Sequence, residues 1–499
     1  LDTAQSTESA VRQAGISVPL MIMRGDGGVM NIDEIKKRPV LTMLSGPAAS
    51  VMGALMYLRA SNGIYFEVGG TSTNIGVIKN GRPAVEYTVV GGHRTYINSL
   101  DVRVLGVAGG SMIRVKDNAL VDVGPRSAHI AGLKYAVYTP LDEIIEPELE
   151  FFSPKKGDPD DYVRIKLANG KRVTLTNSCA ANVLGLCKQT DFSYGIQESA
   201  RLCMQPLADY LGVTVEEAAR QILQKAFEKI QPVIEEFAEK YRLERDQITL
   251  VGVGGGAAAL LPFSANAMQL SYSIPQYAEV ISSIGVALAM IRDVVERVIP
   301  NPSTEDINRI KKEAAGLAIK NGAVPSTIEV HIEIDPQSSK VTAIALGSNE
   351  VQATDLTLKV NEDEARVLAA NSMHADPKEV ETLAHEDIFF VFGRTIGEKQ
   401  QIRLIDHRGF VKVQCGDAIA TACQVKDWEV ETRKLWDRQV SYRREMLSTP
   451  DIYLCIGGKV MDFSNTLGFE QLRTIMASEF LDAEPEEEII LISSRNEII

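Results

Sequence analysis

The alternation of apolar and polar residues predicts a β-hairpin with an unusual tip early in the chain. In "GIYFEVGGTSTNIGVIKNG", residues 63–81, an apolar run from Ile64 to Val68 leads into the turn. Two glycines and three hydroxyl residues form that turn, and a second apolar run from Ile75 to Ile78 follows it. Apolar runs of this length, bounded by Gly and Asn, are typical of strands.

Similar patterns divide the remainder of the chain. Residues 63–125 are β-rich, and residues 178–242 are predicted to be helical, with Thr214 and Glu217 at the spacing of a capping box. The stretch "QITLVGVGGGAAALLPFSANAM" predicts a buried strand, a turn of three glycines and a helix of small residues. Strict alternation in "STIEVHIEIDP", followed by "KVTAIALG", predicts an antiparallel hairpin.

A change of composition near residue 300 predicts the domain organisation. The segment "IPNPSTED" is rich in proline and separates a glycine-rich part from a part with alternating strands and helices. We therefore expect one α/β lobe over residues 1–299 and one or two α/β domains over residues 300–499.

Composition narrows the classes of function. The 499 residues carry a formal net charge of −14, which argues against general affinity for nucleic acids or anionic membranes. No apolar run approaches about 18 residues and the first residues do not resemble a signal peptide, so no membrane span is expected. Six cysteines, none in a C-x-x-C pair, fit a reducing cytoplasm.

Two glycine-rich turns, residues 69–73 and residues 254–256, are the main candidates for chemistry. Glycine permits positive φ and close approach of a ligand, and successive backbone N–H groups in such a turn point toward anions. The second turn leads into a predicted helix, whose N-terminus favours phosphate. Neither turn is a P-loop or a G-x-G-x-x-G motif, and each alone is explained as well by a plain turn. Together they fit a nucleotide held between two lobes.

Ordered motifs around these turns resemble the hydantoinase/oxoprolinase family. The segment "FEVGGTSTNIGVIKNG" resembles that family's phosphate loop, D-M-G-G-T-S-T-D-V, and "RPVLTMLSGPAASVMGA" resembles its S-G-P-A motif. Further segments are similar to family motifs in the same order: "VLGVAGGSMIRV", "VDVGPRSA", "GVGGGAAALLP" and "AEVISSIGVALA". The resemblance covers about residues 16–290 and rests on the ordered set of motifs.

The resemblance implies an actin-like ATPase lobe of the ribonuclease H-like type, followed by the appended α/β region. It implies ATP and Mg²⁺ as cofactors, and a hydrolase or carboxylase in which ATP phosphorylates an amide or carbonyl oxygen of a cyclic substrate. The β- and γ-phosphates would lie on the first turn, and the α-phosphate and ribose on the second. The residues so assigned are Gly69, Gly70, Thr71, Ser72, Thr73, Gly254, Gly255 and Gly256. Ser45 and Gly46 would support the cleft or the substrate pocket.

The chain departs from the family pattern at the two acids that flank the phosphate loop, which are Glu67 and Asn74 here. We assign the catalytic role to these two residues. Glu67 is expected to hold a magnesium-bound water, one methylene further out than an aspartate would. Asn74 can donate hydrogen bonds to phosphate or water but cannot act as a base. The family's T-D-A-N segment corresponds to "TNSCAANVLG", which contains no aspartate.

The family's first phosphate loop, D-x-G-G-T-x-T-D, is expected on a lobe that precedes residue 1 or on a partner subunit, and an oligomer is expected. Two other classes of function stay open: a nucleotide-switched chaperone or reactivating factor, and a non-catalytic member of the family. Substrate-dependent ATP turnover would favour the enzyme, and ATP-dependent release of a partner would favour the switch. Cys179 is a further candidate nucleophile, although a buried thiol is the favoured interpretation because no histidine partner is apparent.

Overall fold

The computed structural model describes most of the chain. The described residues are 2–17, 20–58, 62–79, 82–90, 93–243, 248–300, 302–335, 339–348, 360–386, 388–443, 446–457, 459–464, 466, 468–480 and 483–495. The helices are α1 (Asp2–Gln13), α2 (Ile32–Lys37), α3 (Ser45–Leu58), α4 (Ala128–Ala131), α5 (Asn177–Val183), α6 (Gln197–Leu211), α7 (Val215–Lys240), α8 (Ala257–Met268), α9 (Ile281–Leu288), α10 (Thr304–Lys320), α11 (Glu362–Ser372), α12 (Trp428–Gln439) and α13 (Phe469–Ala477).

The strands are β1 (Met21–Met23), β2 (Val29–Asn31), β3 (Gly63–Val68), β4 (Thr73–Lys79), β5 (Arg82–Pro83), β6 (Val85–Val90), β7 (His93–Leu100), β8 (Val102–Leu105), β9 (Ser111–Lys116), β10 (Ala119–Ser127), β11 (Lys134–Tyr135), β12 (Glu148–Phe152), β13 (Tyr162–Lys166), β14 (Arg172–Thr174), β15 (Thr249–Val253), β16 (Ser271–Ser273), β17 (Ile291–Val298), β18 (Glu329–Asp335), β19 (Lys340–Gly347), β20 (Glu381–Glu386), β21 (Phe389–Ile396), β22 (Lys399–Asp406), β23 (Val411–Cys415), β24 (Ala418–Gln424), β25 (Ser441–Arg443), β26 (Met446–Ser448), β27 (Asp451–Ile456), β28 (Lys459–Asp462) and β29 (Glu488–Ser494).

The six-stranded sheet that carries the first glycine turn has the strand order β16-β15-β3-β4-β5, and β8 also pairs with β4. The predicted hairpin is confirmed: β3 runs antiparallel to β4, while β3 and β15 are parallel neighbours, as are β15 and β16. Alternate residues of β3 enter two different cores. Ile64 and Phe66 pack in a core with residues of α5, α7 and α8, whereas Tyr65 packs in a core with residues of α3 and α9. Helices therefore cover both faces of this sheet.

Small residues let α3 and α9 cross at close range. A Cβ built on Gly285 would lie 1.9 Å from the carbonyl oxygen of Ala49, and a Cβ on Gly53 would lie 2.2 Å from that of Ile281. Glycine is required at both positions because the neighbouring atoms are backbone atoms that cannot turn away. The close crossing fixes α3, which also contacts β3 and β15.

A second sheet, with the order β1-β2-β17-β19-β18, joins the two ends of the predicted lobe to the residues that follow it. β17 pairs with β2 in parallel at Ile291 and Val29, and with β19 in antiparallel fashion along its whole length. Residues on both sides of position 300 therefore share one sheet, with α10 packed against it. The division into domains at that position stays a prediction.

The C-terminal residues form two further sheets that pack face to face. The strands β20, β21, β22 and β23 form an antiparallel meander, and the other sheet has the order β24-β29-β27-β28. Phe389 and Leu404 of the meander share a core with Tyr453 and Ile490 of the other sheet. Helix α11 packs on the outer face of the meander, while α12 and α13 pack on the outer face of the other sheet. No helix in the described ranges combines the length and apolar composition that crossing a membrane requires.

Asp101 connects the edge of the first sheet to the end of α7. It is 5% exposed, and its carboxylate accepts hydrogen bonds from Lys240, Tyr241 and Arg103, each at 2.7 Å. Burial by itself would raise the pKa of Asp101, but these hydrogen bonds outweigh burial and lower the pKa below its usual value. The variant Asp101→Ala leaves two partly buried cations without this partner, so we expect the free energy of unfolding to fall by about 2 kcal/mol.

Urea unfolding at several pH values tests this expectation. Because the folded-state pKa is lowered, the stabilisation is present above the pKa of an unfolded aspartate, about 3.9. It is lost as the pH falls through the lower folded-state pKa, so the difference between variant and wild type should shrink in acid. The control Asp363→Ala removes a side chain that is 89% exposed and should cost less than about 0.5 kcal/mol. Equal stability of the two variants at neutral pH would show that Asp101 has no such role.

Candidate nucleotide-phosphate site

The first glycine turn is a tight loop whose carbonyl groups are held by a neighbouring segment. The N–H of Gly69 donates to the carbonyl oxygen of Ser72 at 3.1 Å, which closes the turn. The carbonyl oxygens of Gly69 and Gly70 accept hydrogen bonds from the N–H groups of Gly109 and Gly110, each at 3.1 Å. The carbonyl side of the turn is therefore satisfied by the protein.

The amide side of the same turn is open. Within the described ranges, the N–H groups of Gly70, Thr71 and Ser72 have no hydrogen-bond acceptor. Three successive amides without an acceptor in a tight turn are available as donors to an anion. The Thr71 hydroxyl is hydrogen-bonded to that of Ser127 at 2.9 Å, whereas the buried Thr73 hydroxyl donates to the carbonyl oxygen of Val107 at 2.6 Å. Thr73 thus supports the turn from beneath.

The second glycine turn lies directly beside the first. Because β3 and β15 are parallel neighbours, the turns that follow them meet at the same edge of the sheet. Gly254 has a φ of +84° and donates to the carbonyl oxygen of Ala278 at 2.7 Å, and Gly256 donates to that of Val68 at 2.9 Å. A Cβ on Gly256 would lie 2.7 Å from the carbonyl oxygen of Gly69, so the two turns touch through backbone atoms. Gly255 contributes a further N–H without an acceptor in the described part of the chain.

A third glycine segment, residues 106–110, completes the floor of the site. A Cβ on Gly109 would lie 3.1 Å from the hydroxyl oxygen of Ser178 and 3.2 Å from the Cα of Gly256. Asn177 stands in the segment that lacks the family's aspartate, and its side-chain N–H donates to the carbonyl oxygen of Ala108 at 2.8 Å. The segment that the sequence marks as divergent therefore still supports the glycine turns.

Glu67 and Asn74 face each other across the hairpin, immediately before and after the tip. The side-chain N–H of Asn74 donates to one carboxylate oxygen of Glu67 at 2.8 Å, and the hydroxyl of Ser50 donates to the other at 2.5 Å. The two residues predicted from the sequence as catalytic are therefore brought together, and the orientation of Glu67 is fixed from both sides. The sequence analysis missed Ser50, although it lies in the segment that resembles the S-G-P-A motif.

Ser45 and Gly46 occupy the first turn of α3, the helix that supplies Ser50. Gly46 is exposed, and a Cβ built on it would meet no atom within 4 Å. An exposed helix start on the element that contacts Glu67 is compatible with the predicted role in the cleft. Contact of these two residues with a substrate stays a prediction.

An open surface groove adjoins the second glycine turn. Two aromatic side chains lie along it: Phe192, which is 69% exposed, and Tyr277, which is 53% exposed. The carboxylates of Asp191 and Glu279 also line the groove. Phe192 passes close to the turn, because a Cβ on Gly255 would lie 2.6 Å from its ring. Phe192 and Tyr277 lie on loops without a recognisable pattern, so the sequence alone does not reveal them.

The structure also bears on two other candidate sites, the Cys179 thiol and a cluster of metal-binding side chains. Cys179 is fully buried, and burial raises the pKa of its thiol, so the favoured interpretation of a buried thiol is confirmed. No group of three or more metal-binding side chains of His, Cys, Asp or Glu occurs among the residues that the structure describes. The Glu67 carboxylate, oriented by Ser50 and Asn74, is chemically suited to hold a magnesium-bound water.

The two adjoining glycine turns lie at one edge of a sheet with helices on both faces, and the predicted fold class, an α/β lobe of the actin-like type, is confirmed. The family model described as hydantoinase/oxoprolinase matches residues 1–295. The chain belongs to the hydantoinase/oxoprolinase family.

Individual proteins are less similar to this chain than the family model is. The caprolactamase subunit alpha of Pseudomonas jessenii is 28% identical over 125 residues, which is 24% of this chain and 18% of that protein. The crystal structure of ATP-dependent caprolactamase from the same organism aligns with a TM-score of 0.50 and 17% identity, over 69% of this chain and 55% of that chain. A nucleotide-free structure of acetone carboxylase aligns with a TM-score of 0.46 and 13% identity, over 83% of this chain and 62% of that chain. The chain thus spans only part of the length of each relative.

Proposed function

We propose that this chain supplies the second nucleotide-binding lobe of an ATP-dependent enzyme that activates a cyclic amide or carbonyl substrate by phosphoryl transfer. One observation carries the proposal: three successive amides, at Gly70, Thr71 and Ser72, have no acceptor in the described ranges and lie beside Glu67 and a second glycine turn. Amides in this arrangement bind phosphate without any lysine or arginine. A carboxylate beside them is suited to the metal that accompanies a nucleoside triphosphate.

We propose one orientation for the nucleotide. The β- and γ-phosphates would accept from the amides of the first turn, with the hydroxyls of Thr71 and Ser72 nearby. The α-phosphate would face the amide of Gly255 and the start of α8, where the helix dipole favours a negative charge. The groove along Phe192 and Tyr277 would then receive the base and ribose, because aromatic faces stack on a base and carboxylates accept from ribose hydroxyls.

The chemistry follows from the weakness of an amide as an electrophile. In the proposed step the carbonyl oxygen attacks the γ-phosphorus, the bond between that phosphorus and the β–γ bridging oxygen breaks, and ADP leaves. Water then adds to the activated carbon, the ring C–N bond breaks as the nitrogen takes up a proton, and hydrolysis of the resulting acyl phosphate releases phosphate and the ring-opened carboxylate. Magnesium would neutralise charge on the phosphates when bound. Glu67, oriented by Ser50 and Asn74, would hold a magnesium-bound water at the tip of the hairpin.

Substrate-dependent ATP hydrolysis by the full-length protein, together with any co-purifying subunit, tests this proposal. The substrates tested are cyclic amides, chosen because one relative is named a caprolactamase. They include a lactam, a hydantoin and 5-oxoproline. A ketone with bicarbonate tests the carboxylase. We expect one class to raise the rate of ADP release at least about tenfold over the rate without substrate. ATP binding without acceleration by any class would contradict the enzymatic role.

A second candidate function is a nucleotide-switched subunit that binds and releases a partner protein. The observation that favours it is Asn74, an amide at a position where the family has an acid, because fewer acids suit slow hydrolysis. ATP-dependent release of a co-purifying protein, without acceleration by small molecules, would support this candidate over the enzyme.

A further inference from the structure

His129 and Tyr135 form a pair of polar side chains directly against the first glycine turn. The hydroxyl oxygen of Tyr135 lies 3.3 Å from Nε2 of His129, and their rings pack edge to face at 5.7 Å. A Cβ built on Gly70 would lie 2.5 Å from that Nε2 and 3.3 Å from that hydroxyl. Both polar atoms therefore lie against Gly70, the first of the three residues whose amides are open.

Backbone hydrogen bonds fix the position of this pair beside the turn. Gly70 accepts from the N–H of Gly110 at 3.1 Å, and the carbonyl oxygen of Gly110 accepts from the N–H of Ala128 at 2.9 Å. Ala128 begins α4, and His129 is the next residue. A Cβ on Gly110 would lie 1.9 Å from the Tyr135 hydroxyl, so this glycine makes room for the tyrosine. The position of the pair relative to the turn is thus fixed by two consecutive backbone contacts.

The surroundings favour a ligand role for the pair over a purely structural one. His129 is exposed, and Tyr135 is half-buried with its ring stacked on Tyr138 at 5.5 Å. Stacking restricts the tyrosine ring, while the imidazole faces solvent at the mouth of the site. Burial raises the pKa of Tyr135 to about 12, so the hydroxyl keeps its proton at neutral pH and can donate it in a hydrogen bond.

We propose that Tyr135, oriented by His129, contacts a phosphate group beyond the α-phosphate of a nucleotide bound on the first turn, and so favours nucleoside di- and triphosphates over monophosphates. The Tyr135 hydroxyl donates to a phosphate oxygen and accepts from the Nε2–H of His129. No bond is made or broken in this contact. The inference rests on the proposed function, because it requires the nucleotide to lie on the turn at residues 69–73.

Equilibrium binding of three probes to the full-length protein tests the pair: a non-hydrolysable ATP analogue, ADP and AMP. A hydrogen bond to a charged group is strong enough for Tyr135→Phe to weaken binding of the analogue about tenfold. Binding of AMP should change less than twofold. We expect His129→Ala to weaken binding of the analogue by about fivefold. His129→Gln keeps an N–H donor and should restore part of that lost affinity.

Matched controls lie away from the site. Tyr210→Phe removes a hydroxyl that accepts from the N–H of Asn118, and His385→Gln changes an exposed histidine that stacks on Phe390. Neither should alter binding of any probe. Equal weakening of all three probes by Tyr135→Phe, or no weakening of the analogue, would overturn this inference while leaving the proposed site intact. If the wild-type protein bound none of the probes, the proposed function itself would fail, and the inference with it.

Discussion

The variant Glu67→Gln is expected to lower substrate-dependent ATP turnover by about 100-fold or more while leaving nucleotide affinity within about threefold. Positioned acidic groups contribute rate factors of this size when they act on protons or charge in the transition state. Glutamine has the shape of glutamate. Ser50 can still donate to its amide oxygen, and the Asn74 side-chain amide can turn so that its oxygen accepts from the new NH2 group, so the hairpin tip should keep its structure. The measurements are steady-state ADP release and the dissociation constant of the non-hydrolysable analogue.

The control for this variant is Glu143→Gln, which removes a carboxylate that pairs with Lys171 elsewhere on the surface. Its turnover should match that of the wild type. If Glu67→Gln retained full turnover, the reaction would not depend on this carboxylate, and the role assigned to the hairpin tip would be wrong. Loss of both turnover and nucleotide binding would instead indicate that Glu67 maintains the turn.

The variant Gly256→Ala is expected to weaken nucleotide binding at least about tenfold and to reduce stability by about 1–3 kcal/mol. Gly256 has a φ of −94°, so alanine is not strained by its backbone conformation. The added Cβ would instead lie 2.7 Å from the carbonyl oxygen of Gly69 and 2.9 Å from a methyl group of Val68. The oxygen belongs to the backbone of the other turn, so the two turns must move apart.

Binding of the analogue and the denaturation midpoint measure this effect together. The control is Gly316→Ala in α10, where a Cβ would meet no atom within 4 Å, and which should leave binding unchanged and stabilise the helix slightly. If Gly256→Ala bound nucleotide as tightly as the control, contact between the two turns would not matter for the site.

The sequence predicted the parts of the site that depend on local pattern. Gly69 to Thr73 and Gly254 to Gly256 follow apolar strands, and strands of that kind end at one edge of a sheet when they are parallel neighbours. The opposition of Glu67 and Asn74 also follows from the length of the hairpin turn. These features depend on residues that are close in the sequence. Over such distances the spacing of apolar residues and the identity of the turn residues predict the structure.

The residues that the sequence analysis missed reach the site through tertiary packing. Ser50 is one polar residue on a helix of small residues, and only the close crossing at Gly53 and Gly285 shows how that helix is held. Phe192 and Tyr277 come from two separate loops that meet only in the folded chain. Spacing along one sequence contains no signal for such contacts.

The second sheet illustrates the same limit at the level of domains. Proline-rich composition near residue 300 suggested a boundary, whereas the sheet pairs β17 with β2, from opposite ends of the predicted lobe, and continues into β19. A turn-rich segment and a domain boundary have the same local composition, so the division at residue 300 stays a prediction.

A crystal structure of the full-length protein with magnesium and a non-hydrolysable ATP analogue tests the central claim most directly. The account predicts phosphate oxygens within about 2.7–3.2 Å of the amide nitrogens of Gly70, Thr71 and Ser72, with the base in the groove along Phe192 and Tyr277. Phosphates bound elsewhere, or no nucleotide at these turns under saturating conditions, would contradict the account.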